Sequence, residues 1–236
     1  MHKETIEYPS WSSLNATLLA CTQCERLVAW RKTVGQKKRR AYFGEEYWAK
    51  PVPGFGDTQA RVLVIGLAPG AHGSNRTGRM FTGDASGDFL FPALYESGFA
   101  NQSQAGFRGD GLALKDLFIS AVCRCAPPDN KPNPDEIQNC LPYLRAEINL
   151  ITHLQGIVCL GKISFDQTMR YLLPSAELRK KYEFKHLAAY TDEELPFWVL
   201  ASYHPSRQNT QTGRLTREMF AAVWKKVRCL LNEKPL

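Results

Sequence analysis

The residues best suited to chemistry are a cysteine pair near the N-terminus, two cysteines far downstream, an aspartate closing a glycine-rich segment, and a histidine following an apolar run. Cys21-Thr-Gln-Cys24 has the C-x2-C spacing that chelates from a single turn. Cys125 opens a proline-rich stretch that ends at Pro134, and Cys140 lies on the helix expected to follow. The prolines make that loop rigid, so Cys125 and Cys140 can meet at one point. Four thiolates drawn from two distant segments can hold either a zinc ion or a cubane iron–sulfur cluster, and spacing alone does not separate the two. Cys123 and Cys159 sit inside apolar runs and Cys229 in a C-terminal helical pattern, so these three are expected in the core.

The segment Gly66–Gly87, GLAPGAHGSNRTGRMFTGDASG, has glycines at 66, 70, 73, 78 and 83 that let the backbone approach a ligand and bare its N–H groups. Phe81 is a large aromatic among polar neighbours, placed to stack on a planar ring. Asp84 precedes a helical pattern and has two competing roles, N-cap for Gly87 or catalytic carboxylate. His204 ends an apolar run and is followed by Pro205 and a polar loop. In that loop Arg207, Gln208, Asn209 and Gln211 are candidates for sugar and phosphate contacts. The Gly156–Lys162 segment mimics a P-loop, but Ile163 stands where Ser or Thr must bind magnesium, and the intervening residues read as a strand.

Such residues need elements to position them. Four short apolar runs stand out: Arg61–Gly66, Leu117–Cys123, Gly156–Gly161 and Phe197–Tyr203. Near-continuous apolar runs of this length are the habit of parallel strands buried on both faces. Helical patterns alternate with them over Ser86–Ser97, Pro134–Ile151, Lys162–Leu173 and Arg214–Leu231, the last placing Leu215, Met219, Val223 and Val227 on one stripe. Trp11–Thr33 reads as one more helix. Alternating strands and helices imply an α/β fold, a three-layer sandwich around a parallel sheet, as a single domain over residues 1–236. In open parallel sheets ligands bind beyond the carboxyl ends of the strands, where Gly66, Cys123, Gly161 and His204 fall.

Across 236 residues the net charge is +7, with 44% hydrophobic and 22% charged residues. The surplus favours a polyanionic partner, although the basic run from Arg31-Lys32 to Arg40 can equally form a solvated face. No apolar run approaches a membrane span, and Met1-His2-Lys3-Glu4 lacks a signal-peptide pattern. A cytoplasmic protein is expected, and seven cysteines there are not expected to form a disulfide framework.

Together these segments resemble the uracil-DNA glycosylase superfamily, most of all its family 5, the iron–sulfur enzymes called type B. The resemblance rests on the glycine-rich segment above, on ISAVCRCAPPDNKP and ASYHPSRQNTQTGRLT in the same order behind it, and on CTQCERLVAWR near the start. It implies a three-layer α/β/α fold around a four-stranded parallel sheet. A structural 4Fe-4S cluster on Cys21, Cys24, Cys125 and Cys140 is implied as well. The activity implied is monofunctional excision of uracil, hypoxanthine, xanthine and etheno adducts from DNA, leaving an abasic site. Backbone groups of Gly66, Leu67, Ala68 and Gly70 would meet the base, Phe81 would stack on it, His204 would donate to the departing anion, and Asp84 would position water. Asn130, Ser206, Arg207 and Asn209 are carried as further substrate contacts.

Family 4 relatives have an asparagine at the end of the second strand; Ala121 stands there in this chain. Met80 replaces a proline usual in close relatives. DNA near the nucleoid is the expected partner, a sliding clamp is a candidate one, and a monomer is expected. Two rival functions are compatible with the same residues: a non-catalytic iron–sulfur or zinc DNA-binding module, and a hydrolase of free nucleotides.

Overall fold

The computed structural model describes residues 8–232. In chain order the elements are α1 (Trp11–Ala20), α2 (Glu25–Lys37), β1 (Phe55–Gly56), β2 (Val62–Gly66), α3 (Ser74–Thr77), α4 (Ala85–Glu96), β3 (Leu117–Ala121) and α5 (Pro134–Leu150). They continue with β4 (Gly156–Leu160), α6 (Lys162–Leu172), α7 (Ala176–Arg179), β5 (Ala189–Tyr190), β6 (Trp198–Ser202), α8 (Arg207–Gln211) and α9 (Arg217–Asn232).

The four expected strands form the parallel centre of one sheet, in the order β3-β2-β4-β6. Each is buried on both faces, as continuous apolar runs require. Two short antiparallel strands, β1 beside β3 and β5 beside β6, extend the sheet to six. At two residues apiece they carry no periodicity that a sequence pattern could register.

Alternate residues of each strand feed the two cores. Val62 and Val64 of β2 pack with Leu90, Phe91 and Leu94 of α4 and with Phe220, Val223, Trp224 and Val227 of α9. Leu63 and Ile65 face the other way, towards Ile137, Leu141 and Leu144 of α5 and Phe165 and Met169 of α6. Period-2 alternation in strands against 3.6-residue stripes in helices thus builds the three layers. Outside them, Leu14 and Leu18 of α1 dock on Tyr143 and Ala146 of α5.

The expected Trp11–Thr33 helix is two helices, because the chain turns at Cys21–Cys24: Cys21 ends α1 and Cys24 precedes α2. The polar loop after His204 contains the short helix α8. Cys229 is exposed, against expectation, while Cys123 and Cys159 are buried. Cys229 lies off the Val223, Val227 and Leu230 stripe, so α9 turns it to solvent. No helix among the described residues is long and apolar enough to cross a membrane.

Candidate active site and cysteine cavity

The strand order reverses at β2, whose neighbours are β3 and β4. Doubly wound sheets open a crevice at such a switch point, beyond the carboxyl ends of the strands. Gly66 ends β2 and is in register with Ala121 at the end of β3. Gly161, just past β4, donates its N–H to the Ser202 carbonyl at the end of β6. His204 follows two residues later.

Three side chains converge here. The Phe81 ring stacks on the His204 imidazole with centroids 5.8 Å apart and planes inclined by 28°. The edge of the Phe81 ring lies against Gly66: a Cβ there would stand 2.9 Å from Cζ of the ring, closer than atoms tolerate. Glycine at 66 is therefore a condition for seating this ring. Phe81 itself holds a left-handed backbone, φ 52°, a conformation that costs a non-glycine residue of order 1–3 kcal/mol and concentrates at functional sites. Met80 beside it is fully buried in the α4/α9 core.

The first of the two roles anticipated for Asp84, helix capping, is present, and it occupies one oxygen. Oδ1 accepts from the N–H groups of Ser86 (3.0 Å) and Gly87 (3.1 Å), making Asp84 the N-cap of α4. Oδ2 faces the glycine-rich loop: a Cβ on Gly70 would come within 2.9 Å of it, and one on Gly73 would overlap it. Burial raises the Asp84 carboxyl above its ordinary range, partly offset by the two backbone donors. His204 keeps some accessible surface but stands on a crowded floor, and burial alone lowers its pKa to about 4. Its imidazole is thus neutral at pH 7, able to donate from one nitrogen.

Gly66, Gly70, Phe81, Asp84, Ala121 and His204 are brought together as the sequence suggested. Leu67 spends its carbonyl on the Cys123 N–H (2.8 Å), and Ala68 packs against the α5/α6 core. Asn209 is turned inward, its amide donating to the His204 carbonyl at 2.9 Å, and Ser206 caps α8. Asn209 thus fixes the histidine backbone, while Arg207 and Asn130 are exposed. His72 was passed over in the sequence. Its Nδ1 pairs with the Tyr47 hydroxyl at 3.0 Å, inside the loop that meets Asp84; its place between Gly70 and Gly73 was the signal.

Cys21, Cys24, Cys125 and Cys140 line one cavity, about 350 Å³ counted to its open mouth, between α1, α2 and α5. Amide groups point at two of the sulfurs: Arg124 N–H to Cys140 Sγ (3.2 Å) and Asn139 Nδ2 to Cys24 Sγ (3.8 Å). Burial pushes the free Cys125 thiol up to about 12 and raises that of Cys24, whereas a hydrogen bond from Cys123 lowers Cys140. Cys123 is therefore a neighbour of the cavity as well as a core residue. Arg31, in the basic run for which a solvated face was one of two readings, is buried and binds the Ala49 and Cys21 carbonyls. Arg124, equally buried, is paired with Glu147. Among the described residues no three donors stand close enough to chelate a single ion.

Comparison with known proteins agrees with this geometry. The profile of the Uracil DNA glycosylase superfamily matches residues 53–228. A type-5 uracil-DNA glycosylase of Thermus thermophilus is 53% identical over 210 residues, 88% of this chain and 92% of its own. One from Mycobacterium bovis is 44% identical over 218 residues, covering 92% of this chain and 80% of its own. A type-4 uracil-DNA glycosylase of Pyrobaculum aerophilum is 36% identical over 133 residues, 56% of this chain and 60% of its own. With a matching profile over most of its length and relatives this similar, the chain belongs to the uracil-DNA glycosylase superfamily.

Proposed function

We propose that this enzyme hydrolyses the N-glycosidic bond of uracil in DNA, and of other deaminated bases, leaving an abasic site without cutting the strand. The observation that carries the proposal is the meeting of Phe81, His204 and Asp84 at the switch point of the sheet. A base inside a duplex cannot reach such a crevice, so the nucleotide must be extruded. Phe81 then supplies an aromatic face for the base. As the C1′–N bond breaks, the electron pair leaves with the base as an anion. Neutral His204 donates a hydrogen bond to that charge, and a donor of this kind contributes most where water is excluded. Asp84 Oδ2, which faces the glycine-rich loop, would steady the cationic sugar and orient the water that attacks C1′. Its raised pKa suits it to take the proton that this water releases.

Ala121 supports a broad choice of base. It is fully buried beside Gly66 and offers no side-chain amide to read a base edge. Discrimination then rests on shape and on backbone groups, compatible with hypoxanthine, xanthine and etheno adducts besides uracil.

For the cysteine cavity the proposal is a 4Fe-4S cluster on Cys21, Cys24, Cys125 and Cys140. Four thiols from two distant segments line one cavity, a donor set of the kind that holds a cubane cluster. Buried Arg31 and Arg124 and the amide donors to sulfur suit an anionic occupant. Such a cluster would tie α1 and α2 to α5 as a structural staple.

The test is a panel of oligonucleotides carrying different deaminated bases, assayed for abasic-site formation, with free deoxyuridine alongside. Release from DNA but not from the nucleoside is expected. Binding without release would make the chain a non-catalytic module, and efficient nucleoside hydrolysis would make it a nucleotide enzyme.

A further inference from the structure

Two of the most exposed large apolar side chains among the described residues are phenylalanines, Phe43 and Phe107, at 62% each. They lie 64 positions apart on separate loops, yet both loops are fastened to the same stretch of the glycine-rich segment. Arg76 and Arg79, three residues apart in that stretch, are themselves buried.

Arg76 pairs with Glu45, donates from Nη2 to the Gly83 carbonyl at 3.0 Å, and lies over the Tyr42 ring at 4.0 Å. The backbone N–H groups of Trp48 and Ala49 bond to the carbonyls of Arg76 and Asn75. The loop bearing Phe43 is thereby held against the glycine-rich segment. Arg79 makes a two-pronged pair with Asp110, at 2.7 and 2.8 Å. Asp110 also accepts from the N–H groups of Gly106, Phe107 and Leu112, and the Arg79 guanidinium holds its carboxyl down at about 2. The Ala105 carbonyl accepts from Gly83 N–H at 3.1 Å, one residue before Asp84. Arg108 stacks on Trp48, joining one loop to the other.

An exposed aromatic on a loose loop is ordinary surface. These two stand on loops tied to the glycine-rich segment by ion pairs of the buried Arg76 and Arg79. Lys37, Arg39 and Arg40 precede Phe43, and Arg108 follows Phe107, with the basic side chains exposed. A rigid aromatic beside a cation is the equipment for stacking on bases next to a phosphate backbone.

We propose that Phe43 and Phe107 are two DNA-contacting residues that stack on bases flanking the extruded nucleotide and hold the strand open during excision. Arg76 and Arg79 are positioning residues that transmit the placement of the glycine-rich loop to both. The proposal rests on the glycosylase function above.

The experiment uses the full chain and a duplex containing a 2′-fluoro-deoxyuridine, which resists hydrolysis, with affinity read by fluorescence anisotropy over a salt series. Phe43→Ala and Phe107→Ala should each weaken binding about tenfold while leaving the slope of log Kd against log salt unchanged, since no phosphate contact is removed. Phe107→Trp should restore affinity, a result that a general loss of folding cannot mimic. Both variants should melt with wild type, because the side chains removed are exposed. A loss below threefold in either variant, or a changed salt slope, overturns the proposal. Uracil release by wild type from a deoxyuridine-containing duplex of the same sequence is measured in parallel: its absence would fail the glycosylase function itself, whereas its presence with unaffected variants would fail only the stacking proposal.

Discussion

Asp84→Asn separates the two oxygens of one carboxylate. Asn and Asp cap helices about equally well, and even complete loss of a cap costs about 0.5–2 kcal/mol. The Oδ1 bonds to Ser86 and Gly87 survive the substitution, so the melting temperature should fall by no more than about 2–4 °C, the shift that 1 kcal/mol produces in a chain of this size. The charge on Oδ2 does not survive. A unit charge about 4 Å from a developing cation, at an effective dielectric near 20, contributes roughly 4 kcal/mol, or about a thousandfold in rate. Stability and chemistry should therefore separate by three orders of magnitude. Because burial raises the carboxyl, the ionised form is lost as pH falls through a value above the ordinary carboxylate range. The wild-type rate should consequently fall on mild acidification, and Asp84→Asn should lack that limb. Single-turnover release of uracil, followed from pH 5 to 8 alongside thermal melting, checks both points. A variant that melts normally and turns over within tenfold of wild type would refute the catalytic role and leave Asp84 a cap.

His204→Ala should slow release by roughly a hundredfold or more while changing DNA affinity little; poor binding with normal turnover would refute the role. Because the His204 pKa is lowered to about 4 from an ordinary 6.5, the folded state keeps it neutral, and its contribution to stability should fade as pH drops from about 6.5 towards 4. Acid melting of wild type against His204→Asn measures this, and equal acid sensitivity would argue against a neutral buried ring. Ala121→Asn should narrow activity towards uracil, so an unchanged ratio of hypoxanthine to uracil release would defeat the specificity argument. Anaerobically purified protein should be brown, with stoichiometric iron and sulfide; colourless, zinc-loaded protein would overturn the cluster. Cys123→Ala, which removes the partner of Cys140 without removing one of the four proposed ligands, should retain iron, and a colourless variant would make Cys123 essential to the site.

The architecture was legible where burial dictates sequence. Four strands buried on both faces must be continuous apolar runs, and these located the sheet and its carboxyl edge to within two residues. Elements that answer to other demands were not legible. The apolar spacing of Trp11–Thr33 runs on through Cys21–Cys24, so nothing local marks the break that swings the cysteine pair into the cavity. Arg76 and Arg79 look like surface cations in a polar loop, yet each is buried by an acid 31 residues away, Glu45 and Asp110. Long-range pairs of this kind leave no trace in spacing. Asn209 had the composition of a ligand contact and instead clamps the His204 carbonyl, since an inward or outward amide is decided by the helix that carries it.

The strain at Phe81 links the fold to the chemistry. A phenylalanine at φ 52° would relax into an ordinary conformation unless its surroundings forbade it. Gly66 leaves room for the ring, His204 stacks against it, and three residues later Asp84 is anchored by its bonds to Ser86 and Gly87. The chain between ring and carboxylate is thus stretched across two fixed points, the end of β2 and the start of α4. The ring that would receive a base and the carboxylate that would face its sugar are held in one rigid unit, with little freedom to drift apart. Preorganisation of this kind matters because a displacement of about 1 Å between reacting groups costs on the order of a hundredfold in rate. An enlarged residue at 66 would press on the ring and one at 73 on Asp84, so each substitution strains a different end of the same unit.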